Sequence, residues 1–153
     1  MNMHTNSHQP IDQTIRILIV EDRDVLRTQY RNQLRQFGFS RVTTAINAAE
    51  AVAMLESDEF RNPDVIISDL YMEGMNGIEF VHELRRAKNM TPVIIATEET
   101  SLEMCQAIQQ IGANHIVSTP VSAMQLADAI HKVVGTSSDD QSASSQCRMT
   151  LPL

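Results

Sequence analysis

Asp64-Val65-Ile66-Ile67-Ser68-Asp69-Leu70-Tyr71-Met72-Glu73-Gly74-Met75-Asn76-Gly77 is the stretch whose reading decides the fold. It opens as an apolar run, Val65 to Ile67, stops at the carboxylate of Asp69 and enters a loop closed by Asn76-Gly77. A short apolar run bounded by turn residues fits a strand buried on both faces, as in a parallel sheet. In open parallel sheets, ligands bind just beyond the carboxyl ends of the strands. That rule places Asp69 where solvent and ligands reach it. A second run of the same form, Arg16-Ile17-Leu18-Ile19-Val20-Glu21-Asp22, also ends in carboxylates. If the two strands are neighbours in one sheet, Glu21, Asp22 and Asp69 converge on one pocket.

Outward from these runs the chain alternates strand and helix. After the first strand, Leu26, Tyr30, Leu34 and Phe37 recur at helical spacing and form one apolar stripe, ended by Gly38. Val42 to Ile46 is a β-branched strand, and Asn47 with Glu50 opens a second helix. Ile78, Val81 and Leu84 line a third helix from Gly77 to Lys88. A fourth strand, Val93 to Ala96, reaches Thr97, and Thr100 with Glu103 reads as the capping box of a fourth helix. A fifth strand, His115 to Ser118, is followed by Thr119-Pro120, and Ser122 with Gln125 caps a fifth helix that ends at Gly135. Five strand–helix repeats predict an α/β fold, a doubly wound five-stranded parallel sheet with right-handed crossovers and helices on both faces.

Composition sets the outer bounds. At 153 residues the chain holds one domain with a real core. Residues 1–14 are polar and read as a disordered arm without a signal-peptide core; residues 136–153 are rich in Ser, Asp and Gln and read as a disordered tail. The tail closes on a small apolar cluster, Cys147 to Leu153. A net charge of −7 argues against nucleic acid as a partner, and no apolar run is long enough for a membrane span. Cys105 and Cys147 lack metal or redox spacing, which fits free thiols in a reducing cytoplasm.

Three carboxylates at two strand ends repel one another and raise one another's pKa values. A hard divalent cation relieves that repulsion, and an all-oxygen ligand set suits Mg²⁺. Asp69 is then available as a nucleophile toward a phosphoryl group, because Asp carboxylates form aspartyl phosphates. The Thr97 hydroxyl, at the end of the next strand in sequence, is positioned to meet a phosphoryl oxygen. The alternative for each residue taken singly is a solvated polar group at a strand end. Convergence at successive strand ends favours a site.

From Arg16 to Gly135 the sequence resembles the receiver domains of two-component response regulators, of the stand-alone chemotaxis type. The likeness is carried by Glu21-Asp22, Asp69 with Met72, Met75, Asn76 and Gly77, Pro92 with Thr97, Gly112-Ala113 and Thr119-Pro120. It implies a flavodoxin-like receiver domain over 15–135, with Asp69 as the phosphoacceptor. It also implies that Glu21, Asp22, Asp69 and the backbone carbonyl of Tyr71 hold Mg²⁺, with Thr97 as the switch hydroxyl. The implied donor is a histidine kinase or phosphotransfer protein. Output would pass by protein contact to a downstream protein, from a monomer or homodimer and without a DNA-binding output domain. Such a protein catalyses its own phosphorylation and hydrolysis and turns over no external substrate. Its output face would be the fourth helix, fifth strand and fifth helix, on or near which lie Met104, His115 and Met124.

Several positions depart from the receiver pattern. Thr119 stands where receivers carry Lys, so the ammonium that pairs with the acceptor is missing; a charge-assisted contact of that kind is worth about 1.5–3 kcal/mol. Glu98 and Glu99 follow Thr97, where the first position is usually small. Ile116 replaces an aromatic side chain able to swing, and Glu73 replaces a loop Pro. The one basic residue near the site by sequence is Arg23, and its readings are two: an exposed Arg at the helix start, or a guanidinium that swings in as a partial replacement for the Lys. The missing Lys and the Glu98-Glu99 pair favour an alternative reading, a degenerate receiver acting as a phosphorylation-independent adaptor, whereas the intact Glu21-Asp22 pair and Asp69 speak for a working receiver. A metal-dependent phosphatase of another fold would place an Asp two residues after the nucleophile, where this chain has Tyr71.

Overall fold

The structure, a computed structural model, describes residues 13–135 and 149–150. Five strands, β1 (Arg16–Val20), β2 (Arg41–Ala45), β3 (Val65–Asp69), β4 (Val93–Thr97) and β5 (His115–Ser118), alternate with five helices. The helices are α1 (Asp24–Gln36), α2 (Ala48–Glu56), α3 (Gly77–Arg86), α4 (Leu102–Gln110) and α5 (Ala123–Gly135). All strand pairings are parallel, in the order β2-β1-β3-β4-β5. The doubly wound α/β fold expected from the sequence is the fold observed.

Period-two alternation along each strand sends side chains to two cores. Leu18, Val20, Ile66, Ile95 and Ile116 face α2, α3 and α4, against Ala51, Phe80, Val81 and Ile108. Ile17, Ile19, Val65, Ile67, Ile94 and Val117 face α1 and α5, against Tyr30, Leu34, Leu126 and Ile130. Burying one such aliphatic side chain contributes about 1.5–3 kcal/mol. A handful of them outweighs the cost of holding two carboxylates together at the strand ends.

Local signals mostly act as the residues suggest. Asn47 accepts from Glu50 N while Glu50 accepts from Ile46 N, and Asn76 with Glu79 forms a full capping box on α3. Ser122 and Gln125 cap α5 reciprocally. The fourth helix differs from expectation. Ser101, not Thr100, is its cap, accepting from Met104 N, because the helix starts one residue later than the Thr100–Glu103 spacing proposes. Phe37 also leaves the predicted stripe. Gly38, at φ 92°, reverses the chain, so Phe39 is buried beside Leu34 and Phe37 turns outward.

Two termini expectations change. Met149–Thr150 forms a sixth strand, β6, parallel to β5 in the register Ile116↔Met149 and Val117↔Thr150. The sheet is therefore six-stranded among the described residues, and the disordered tail expected over 136–153 includes a paired segment. The physical reason is the free edge of β5, whose unpaired N–H and C=O groups accept another strand. Of the expected disordered arm, residues 13 and 14 are helical. The rest of the arm, residues 136–148 with Cys147, and residues 151–153 lie outside the described residues.

Candidate functional site: an acidic pocket at the strand ends

β1 leads to β2 on one side and lies against β3 on the other, so connections diverge between β1 and β3 and leave a crevice at their carboxyl ends. The register pairs Val20 with Ser68. One residue further along each strand brings Glu21 beside Asp69. Carboxylate oxygens of Glu21, Asp22 and Asp69 all lie within 4.8 Å of one another. Gly77 lets α3 start directly against this corner. Its N–H donates to Leu70 O at 2.8 Å, and a Cβ there would stand 2.6 Å from the backbone oxygen of Asp69.

The pocket, about 670 Å³, is lined by Asp22 and Asp69 on one side and by Thr97, Glu98, Glu99 and Thr119 on the other. Asp69 is 8% exposed and Glu21 fully buried. Asp69 Oδ1 accepts from Leu70 N at 3.0 Å, and Asp22 Oδ2 accepts from Glu73 N at 3.0 Å. Glu21 Oε2 accepts from Arg23 N at 3.0 Å, whereas Glu21 Oε1 is buried without a hydrogen-bond partner. Burial, with the Asp69 charge beside it, pushes the Glu21 carboxyl up to about 7. Burial also raises Asp69, against the opposing pull of Glu21 and of the Arg23 guanidinium.

An orphaned buried carboxylate oxygen among three converging acids is the chemistry a hard cation completes, and the set is all oxygen, which suits Mg²⁺. Tyr71, whose backbone carbonyl the receiver resemblance assigns to the same ion, lines the same pocket.

The hydroxyl side is built differently. Thr97 is buried and its Oγ1 accepts from Glu99 N at 2.9 Å. Glu99 in turn accepts from the Tyr71 hydroxyl, which raises the Tyr71 pKa. Thr119 is half-buried and its N–H donates to Thr97 O at 3.0 Å. Of the two readings of Arg23, the structure shows the one in which the guanidinium reaches in. Its Nη2 lies 3.4 Å from Asp69 Oδ2 and its Nε 3.5 Å from Glu21 Oε2.

Residues 17–131 match the family described as the response regulator receiver domain. This chain belongs to the response regulator receiver family. It is 33% identical over 122 residues to the chemotaxis protein CheY of Pseudomonas aeruginosa, covering 78% of this chain and 95% of that protein. Chemotaxis protein CheY-3 of Vibrio cholerae is 29% identical over 125 residues, 80% of this chain and 94% of its own. Among solved structures, Vibrio cholerae CheY4 superposes with a TM-score of 0.69 at 32% identity, covering 77% of this chain and 97% of that one. The receiver domain of Francisella response regulator 1452 shares the fold, with a TM-score of 0.73 at 23% identity.

The structure separates the three residues read as on or near the expected output face. His115 is buried in β5 rather than displayed, and Met104 packs against the core, which leaves Met124 exposed. The Tyr71–Glu99–Thr97 chain was not read from the sequence. Its partners are far apart in the chain, and only the closeness of the β3 and β4 ends unites them.

Proposed function

We propose that this receiver accepts a phosphoryl group on Asp69 from a histidine kinase or phosphotransfer protein and passes the signal on by protein contact. The observation that carries the reading is the Asp69 carboxylate, held within 4.8 Å of Glu21 and Asp22 oxygens at the mouth of the crevice. A lone pair on an Asp69 oxygen forms the O–P bond as the donor's P–N bond breaks. The electron pair leaves on the donor imidazole, which takes up a proton from water. Hydrolysis is a separate step that clears the site: water adds to phosphorus, the Asp69 carboxylate leaves, and inorganic phosphate and a proton are released. Leu70 N–H holds Asp69 Oδ1, which leaves Oδ2 turned toward the pocket and Arg23. Glu21, Asp22, Asp69 and the Tyr71 carbonyl would hold Mg²⁺, which would supply positive charge to offset repulsion between carboxylates and phosphoryl oxygens. The protein turns over no external substrate.

The likeness to CheY proteins along nearly their whole length supports a chemotaxis-type receiver working in the cytoplasm. No helix among the described residues is long and apolar enough to cross a membrane. A second reading, a phosphorylation-independent adaptor, is favoured by the opposite wall. There Thr97 Oγ1 is engaged by Glu99 N, and Glu98 and Glu99 present like charge to an incoming phosphate.

Incubation with Mg²⁺ and acetyl phosphate, followed by intact-mass analysis, separates the two. A phosphate-sized gain in the wild type and none in Asp69→Ala is the expected outcome. No gain in either, with Mg²⁺ binding intact by calorimetry, would leave the adaptor reading standing instead.

A further inference from the structure

Arg23 breaks a local rule. It occupies the N-cap position of α1 with no side-chain cap hydrogen bond, where Ser, Thr, Asp or Asn is preferred. A cation at a helix amino terminus also opposes the helix dipole. Helix stability therefore gives no reason for Arg at this position, and residues that break local rules concentrate at functional sites. Its side chain is 64% exposed, yet the guanidinium turns back onto Glu21 Oε2 and Asp69 Oδ2. It is the only basic residue lining the pocket among the described residues. The neighbouring Arg27 is committed elsewhere, pairing with Asp24 and donating to Glu21 O.

A phosphoryl group joined to Asp69 adds negative oxygens to a pocket already holding Glu21, Asp22, Glu98 and Glu99 nearby. The Thr119 hydroxyl carries no charge to meet them. We infer that Arg23 is the resident counter-ion of this site, pairing with Glu21 and Asp69 before phosphorylation and with the phosphoryl oxygens after it. A guanidinium suits both tasks, because its fork of donors meets carboxylate and phosphate alike. The exposed stem allows the turn from one set of oxygens to the other. The inference rests on the phosphoacceptor reading above.

It makes a prediction of opposite signs. While Arg23 lies on the carboxylates, it competes with a divalent cation for the same oxygens. Arg23→Ala should therefore bind Mg²⁺ about threefold more tightly by calorimetry, a modest effect because the Arg23 side chain is largely exposed and its charge is screened by solvent. The same variant should label with acetyl phosphate about tenfold more slowly at saturating Mg²⁺, and Arg23→Lys should recover part of the rate. A merely structural Arg23 would move both readouts the same way or neither. Unchanged or weaker Mg²⁺ affinity in Arg23→Ala overturns the inference, as does tighter Mg²⁺ binding with unchanged labelling. Wild-type labelling is scored separately: its absence defeats the phosphoacceptor reading and, with it, the phosphoryl half of this one. The Mg²⁺ comparison still decides the pairing with Glu21 and Asp69.

Discussion

On the β1–β3 side of the pocket, Glu21, Asp22 and Asp69 extend directly from buried strands whose register sets their spacing. On the β4–β5 side, Thr97 and Thr119 also end strands, but Glu98 and Glu99 occupy the loop beyond β4, and no cation projects from that wall among the described residues. The first wall matches the receiver pattern in charge and position. The second departs from it at Thr119, Glu98 and Glu99. The contrast separates two tasks. Accepting a phosphoryl group requires carboxylates fixed by a rigid sheet, whereas reading it requires groups that move when it arrives. Strand ends resist change because each residue is tied to two neighbours by register. Residues at and beyond the ends are freer to vary, and here a positive charge is missing at Thr119 and negative charge is added at Glu98 and Glu99.

If the acidic wall is under electrostatic strain without a cation, its cost should depend on pH. The Glu21 carboxyl stands at about 7 in the folded protein against 4.5 for the free group, so the folded state holds this proton more tightly than the unfolded chain does. Its contribution to stability is complete below about pH 4.5 and is lost as pH rises through about 7. The full loss is roughly 3 kcal/mol. Urea unfolding at pH 5 and pH 8 without divalent cations should show it, as the difference between wild type and Glu21→Gln. Because a cation binds the ionised carboxylates, added Mg²⁺ should restore the wild type at pH 8 and leave Glu21→Gln little changed. Parallel profiles for the two proteins would mean that Glu21 ionises at no cost, and the contrast between the walls would lose its electrostatic basis.

The second wall can be altered toward the first. Thr119→Lys places a cation where the pocket has a neutral hydroxyl, about 1.5 kcal/mol of charge-assisted contact with the acceptor. Labelling by acetyl phosphate should accelerate about tenfold, and more in the Arg23→Ala background than in the wild type. Equal gains in both backgrounds would show that the two cations serve different oxygens. No gain in either would show that charge at position 119 no longer reaches the phosphoryl group.

How much of this was legible depends on whether a feature is local in sequence. The apolar runs ending at Asp69 and at Glu21-Asp22 specified the strands and the acidic wall, because strand burial and strand-end position follow from the run itself. Gly77 is equally local: it closes the loop after Asp69 in the sequence, and the structure supplies the reason in the close approach of α3 to Asp69. The single-residue shift from Thr100 to Ser101 at the start of α4 was not legible, since two hydroxyl residues in succession offer the same capping chemistry. The pairing of Met149–Thr150 with β5 was hidden by a polar tract that looks like a tail. Arg23 was visible as a nearby charge, but its direction was not. Only the backbone of α1 decides whether that guanidinium turns to solvent or to Asp69.

The smallest expected effect concerns the link between the walls. Tyr71 leaves the β3 side, half exposed, and its hydroxyl donates to Glu99, whose N–H donates to Thr97 Oγ1. The side chain thus links the β3 side to Glu99 across the pocket that both line. A side chain in that position limits the approach of water to an acyl phosphate. Tyr71→Asn should shorten the dephosphorylation half-life a few-fold by removing both ring and bridge. Tyr71→Phe keeps the ring but releases Glu99, so it separates shielding from bridging. A half-life for Tyr71→Phe close to the wild type assigns the effect to the ring. One close to Tyr71→Asn assigns it to the hydrogen bond, and the two walls are then coupled through Glu99. If neither substitution changes the half-life, Tyr71 contributes only its backbone carbonyl, and the walls act independently.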